Sequence, residues 1–194
     1  MIENLPSYVS IAFVLTTFLT VGFLFYAARQ TVFDTTAAKI LFALVPLWLV
    51  FQAALASSGF YLSVDVFPPR LPFFAVIPAL VLITLLFIFA QKDFISRLPL
   101  KMLTLIHVIR IPVEIVLLWL FQNEQVPQLM TFEGRNFDII AGLTAPLIYW
   151  LAFRGGKTNR PLLIIWNFVA LGLLINIVAN AVLSFPYPLS LIHI

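Results

Sequence analysis

Apolar residues run through this chain in six long stretches, near 7–28, 38–62, 71–91, 100–121, 138–154 and 161–183, each separated from the next by a short polar segment. Crossing a bilayer takes roughly 20 residues of helix, and each stretch approaches or meets that length. The apolar positions are continuous rather than alternating, which points to helices. Only helices and closed barrels satisfy their backbone hydrogen bonds in lipid. The pattern predicts an all-α polytopic transmembrane bundle, a single domain over 1–189 with no internal repeat or linker. Pro46, Pro78, Pro112 and Pro146 fall inside the second to fifth stretches. Each removes a backbone donor and favours a kink. The small-residue runs "ALASSG" (54–59) and "AGLTA" (141–145) suit close helix packing.

Composition agrees with the pattern. The chain is 62% hydrophobic and 10% charged, with a mean hydropathy of +1.08, whereas soluble domains carry about 25% charged residues. That excludes an ordinary soluble fold. There is no cysteine, so disulfides, thiolate chemistry and Cys-based zinc or iron–sulfur sites are excluded. The N-terminal "MIENLPS" lacks a basic n-region, so the first stretch reads as a retained helix rather than a signal peptide. The last six residues, "LSLIHI", read as translated transposon-end sequencing adapter. Residues 190–194, with His193, are then foreign, and a seventh helix is expected beyond "SFPYPL".

Charge placement says more than the net +3. Eight of the eleven basic residues fall in alternate loops: Arg29 and Lys39; Lys92, Arg97 and Lys101; Arg154, Lys157 and Arg160. The opposite side holds Arg70 and Arg135 beside Glu3, Asp65, Glu124, Glu133 and Asp138. Basic loops face the cytoplasm, which predicts an outside N-terminus. Aromatic residues fall at the two expected interfaces, apart from Trp48 in mid-helix. The basic residues form loop anchors and no nucleic-acid-binding face.

The fourth stretch contains the chain's strongest chemical signal: His107, Arg110 and Glu114 in an otherwise apolar segment. At about 100° per residue they share an arc of roughly 60°, a stripe that must face protein or water. A charge at the membrane centre costs about 2.5–3.5 kcal/mol even on lenient scales. Arg110 and Glu114 are spaced to pair within the helix. By helical rise, His107 lies roughly 9 Å in and Glu114 roughly 20 Å. Asn167 falls at the level of His107; Asn176, Gln52 and Thr144 fall near that of Glu114, with Asn180 one turn further out. These residues suggest a proton- or ligand-binding pocket nearer the outside. Helix-to-helix hydrogen bonding is the plainer explanation for the amides. The loop "MTFEGRNFD" (130–138) would form the pocket mouth through Glu133, Arg135 and Asp138, while Gly134 turns the chain and Asn136 or Asp138 caps the next helix.

Other signals fail. "GGKT" (155–158) lacks the spacing of a phosphate loop and reads as a cationic turn. His107 is alone in the membrane region, so bis-histidine haem ligation is excluded, and the metal-ligand count is too low for a di-iron or zinc centre. No metal or cofactor is expected.

"HVIRIPVE" and "TFEGRNFDIIAGLTAP" resemble segments of multi-pass membrane proteins of environmental bacteria, a family without an assigned activity. The resemblance covers most of the chain. It implies the bacterial cytoplasmic membrane and no residue role. The leading expectation is a membrane protein that binds or moves a small solute or proton, with Glu114 titrating, Arg110 as counter-ion and His107 as inner relay. The alternatives are a membrane-embedded enzyme acting on a lipid or quinone-like substrate, and a structural or sensory subunit joined to a partner's helices or to a second copy.

Overall fold

Long apolar runs punctuated by proline and glycine set the helix boundaries. In a computed structural model, described over residues 5–31, 34–62, 66, 68–89, 94 and 96–184, the chain is all-α. Its helices are α1 (Ser7–Thr31), α2 (Thr36–Ser57), α3 (Ile77–Phe89), α4 (Leu100–Gln122), α5 (Ile139–Phe153) and α6 (Arg160–Leu183). Among the described residues, five segments are long and apolar enough to cross a membrane; α3 with the turn before it, Pro72–Ile88, is shorter. Large apolar side chains such as Phe18, Leu47 and Phe168 point outward from the helices, as in a protein whose solvent is lipid. The expected seventh helix and adapter-derived terminus lie outside the described residues.

Two compact units divide the chain. One, Phe25–Pro99, contains the end of α1 with α2 and α3. Thr35 caps α2 by accepting the Ala38 N–H at 3.2 Å. Near that cap, Ala38 and Phe94 are buried among Ala28, Leu41 and Phe42. Trp48, anomalous as a belt residue, instead lines an apolar cavity of about 520 Å³ between α2 and α3. The second apolar stretch predicts helix to 62, but α2 ends at Ser57 because Gly59 takes a left-handed backbone (φ 74°) and Phe60–Leu62 tightens into a 3-10 turn. "ALASSG" therefore forms a helix end, largely exposed, and does not form a close packing face.

Proline shapes α3 as well. Pro78 has no N–H to give the Phe74 carbonyl four residues earlier, and Pro72–Val76 widens into a π turn. The Gln52 side chain donates to that carbonyl at 2.9 Å and accepts the Tyr61 hydroxyl at 2.5 Å. Gln52 thus supplies the donor that proline removed, which satisfies an acceptor that lipid could not.

The other unit, Ile2–Leu24 with Leu100–Ile194, contains the first part of α1 with α4, α5 and α6. Tyr8 on α1 meets Trp119 on α4 edge to face, with ring centroids 5.1 Å apart. Pro112 interrupts α4, and Ile106–Ile109 tightens into a 3-10 turn just before it. On α5, Ala141, Gly142, Ala145, Ile148 and Ala152 form a buried stripe at helical spacing. A Cβ on Gly142 would come within 2.8 Å of Ile111 and 3.2 Å of the His107 carbonyl, so α5 approaches the α4 backbone directly. Ala145, Ile148 and Ala152 then pack on Leu163 and Trp166 of α6. Gly155 and Gly156 both adopt left-handed backbone, so the cationic "GGKT" run is a turn, and Asn159 caps α6 by accepting the Leu162 N–H.

Candidate functional site

The 3-10 turn before Pro112 delivers Arg110 and Glu114 to the inner side of α4. Glu114 has no exposed surface. Its partner is Asn136, whose Nδ2 donates to both carboxylate oxygens at 2.7 and 2.6 Å and to the Met130 carbonyl at 3.0 Å. Asn136 is itself fully buried, and its Oδ1 accepts the Asp138 N–H at 3.0 Å. One amide therefore joins α4, the loop before α5 and the N-cap of that helix. The capping expectation is met in an altered form: Asp138 stands at the N-cap, but its side chain makes no capping bond.

Arg110 does not take Glu114 as its ion-pair partner within the helix. Its Nη1 donates to Asp138 Oδ1 and, at 3.2 Å, to the carbonyl of Ala170 on α6. Burial raises the Asp138 carboxyl above the ordinary aspartate range, and the Arg110 guanidinium beside it pulls in the opposite direction. With all three groups ionised, two carboxylates share one cation, leaving the cluster at a formal charge of −1.

The loop 130–138 is held inward by its backbone. Thr131, fully buried, accepts the N–H groups of Gly134 and Asn136 at its carbonyl, at 2.9 and 3.1 Å. Asn176 and Asn180 on α6 both donate to the Arg135 carbonyl, at 2.5 and 3.2 Å. Of the expected mouth residues, Asp138 is turned in, while Glu133 and Arg135 expose their side chains. Gln52 belongs to the other unit and is occupied with Phe74 and Tyr61. Thr144 accepts the Trp166 indole N–H at 3.0 Å. His107 lies edge to face with the Trp166 ring at 4.7 Å, and its Nδ1 is buried without a hydrogen-bond partner.

Sequence reasoning missed Asn136 as a site residue, along with Thr131 and the carbonyls of Met130 and Ala170. Its place before α5 suggests only a cap. The available signal is stoichiometric: Arg110 cannot neutralise both Glu114 and Asp138, and Asn136 is a further donor only two residues from Asp138.

Gly134 has a steric role. A Cβ there would lie 2.1 Å from the Gln128 carbonyl oxygen and 3.0 Å from Leu129 Cα, both backbone atoms unable to swing aside. Gly134→Ala is expected to push the loop off its seat at a cost of about 1–3 kcal/mol. The sign of that shift is faster amide exchange at 131–136, with α4 and α6 unchanged; wild-type exchange in the loop would refute it.

The chain matches no family model, no curated protein and no solved structure.

Proposed function

We propose that this is an integral membrane protein that binds a proton at Glu114 and couples it to movement of a small solute, or of the proton itself, past the 130–138 loop. One observation carries this reading: a fully buried carboxylate in a membrane-length helix, without an ion-pair partner among the described residues and held only by the Asn136 amide. The charge count supports it, since one proton brings the Glu114–Arg110–Asp138 cluster to neutrality. Protonation also changes the bonding. A carboxyl O–H facing the Asn136 N–H₂ opposes donor to donor, so one of the two Asn136 contacts to Glu114 is lost. Intramembrane carboxylates serve proton movement in many transporters.

The proposed location is a bacterial cytoplasmic membrane with the N-terminus outside. The alternate basic loops support this orientation, as do Lys101 over the Phe153 ring and Arg154 over the Trp150 ring, which suit anchors at one interface.

Glu114→Gln keeps the shape and removes the titration. In reconstituted vesicles it is expected to abolish pH-driven proton uptake while helicity and monodispersity are retained. A second reading, that the cluster is a clasp binding the loop to α4 and α6, is favoured by the complete burial of both Glu114 and Asn136. Wild-type flux in a folded Glu114→Gln protein would establish the clasp and end the transport reading.

A further inference from the structure

A groove of about 700 Å³ runs between α4 and α6, and its lining includes none of Glu114, Arg110, Asn136 or Asp138. Its walls are mainly apolar, including Leu103, Ile106 and Phe168. It begins at Arg160, the first residue of α6, and reaches Leu171, roughly 16 Å along the helix at 1.5 Å per residue. Partway down, at about 10 Å from Arg160, His107 and Asn167 enter the wall. Asn167 is exposed there, its Nδ2 turned back to the Leu163 carbonyl at 2.8 Å. The His107 imidazole makes no side-chain hydrogen bond among the described residues; its Nδ1 is buried, which leaves Nε2 as the ring nitrogen able to meet a ligand in the groove. Polar side chains that face hydrocarbon with bonding capacity unused are costly. The lining contains one permanent cation and no acidic residue.

We propose that this groove is a binding site for an anionic phospholipid from the leaflet at the α4 and α6 N-termini. The phosphate pairs with Arg160, the acyl chain lies along the apolar wall toward Leu171, and an ester carbonyl accepts from the polar pair of His107 and Asn167. Charge complementarity selects the occupant. A zwitterionic lipid adds a cationic group next to Arg160, and a neutral lipid-soluble molecule leaves the guanidinium unused.

Trp166, in ring contact with His107, is the reporter. The protein in detergent, with Trp48, Trp119 and Trp150 changed to Phe, is titrated with acyl-brominated phosphatidylglycerol or phosphatidylcholine. Phosphatidylglycerol is expected to quench Trp166 at about fivefold lower concentration, the gain from one basic contact. Arg160→Ala should erase that preference and Arg160→Lys should keep it. An ether-linked brominated phosphatidylglycerol, lacking the carbonyls, should bind more weakly than the ester lipid, and Asn167→Leu should remove the difference. Equal quenching by the two headgroups, or a preference that survives Arg160→Ala, overturns the proposal. So does quenching by neither lipid together with a dimer that Asn167→Leu dissociates, which assigns the groove to a second copy. The lipid readout is independent of proton flux, so either proposal can fail alone.

Discussion

Asn136→Asp is expected to destabilise the protein by about 3 kcal/mol, and adding Glu114→Gln is expected to recover most of that loss. The substitution replaces the sole described donor to Glu114 with a second carboxylate, where the amide now stands 2.6 and 2.7 Å from the two oxygens. A hydrogen bond to a charged group is worth about 1.5–3 kcal/mol, and leaving the charge buried and unpaired costs more than the bond was worth. The double variant carries its amide on α4 and its carboxylate on the loop, so donor and acceptor face each other again with their positions exchanged. The new loop carboxylate can still accept the Asp138 N–H, as Asn136 does at 3.0 Å. It cannot donate to the Met130 carbonyl, which limits the recovery. Unfolding in detergent for the wild type, both single variants and the double gives the coupling energy of the pair. Additive losses, with no recovery in the double, would mean that the two side chains do not act on each other.

Helix number and type were legible in the sequence because they depend on composition along the chain, which lipid makes decisive. Membrane-length apolar runs must be helical whatever they pack against. Boundaries were less legible where one residue overrides a run. Gly59 stops α2 before its apolar stretch ends, and Pro78 turns the start of α3 into a π turn. The inward stripe of α4 was readable from spacing, and Arg110 and Glu114 both lie on it.

Pairing across elements was not readable from spacing. Arg110 and Glu114 are four residues apart, yet the structure sends the guanidinium to Asp138 and the carboxylate to Asn136. The reason is the loop: Gly134 turns it so tightly against Gln128 that 136 and 138 both arrive beside α4. That turn depends on a close backbone approach, which no periodicity encodes. Relative depth was legible only in part. His107 and Asn167 line one groove, because helical rise alone sets relative height on two helices that start at the same level. Thr144, expected near the level of Glu114, instead accepts the indole N–H of Trp166, the ring that meets His107.

Arg110→Ala is expected to cost about 3–5 kcal/mol at neutral pH, because it leaves the Asp138 carboxylate buried without its cation. Asp138 is only 5% exposed, so water cannot substitute for the guanidinium. The loss should also depend on pH, with a definite sign. Burial already holds the folded Asp138 carboxyl above its ordinary value of 3.8, and Arg110 opposes that rise. Removing Arg110 lets the folded value climb further while the unfolded value stays put. The folded variant then binds more protons than the unfolded chain between those two values, so its stability falls as pH rises through that window. Below the ordinary aspartate range Asp138 is protonated in both states, and most of the cost of losing its cation disappears. Glu114 belongs to the same cluster, so Asp138→Asn in the Arg110→Ala background isolates the contribution of Asp138: the pH dependence should flatten and stability at neutral pH should recover. Unfolding midpoints across a pH series measure both effects. A deficit in Arg110→Ala that does not change with pH, or that Asp138→Asn fails to relieve, would show that Arg110 serves the Ala170 carbonyl on α6 rather than the loop.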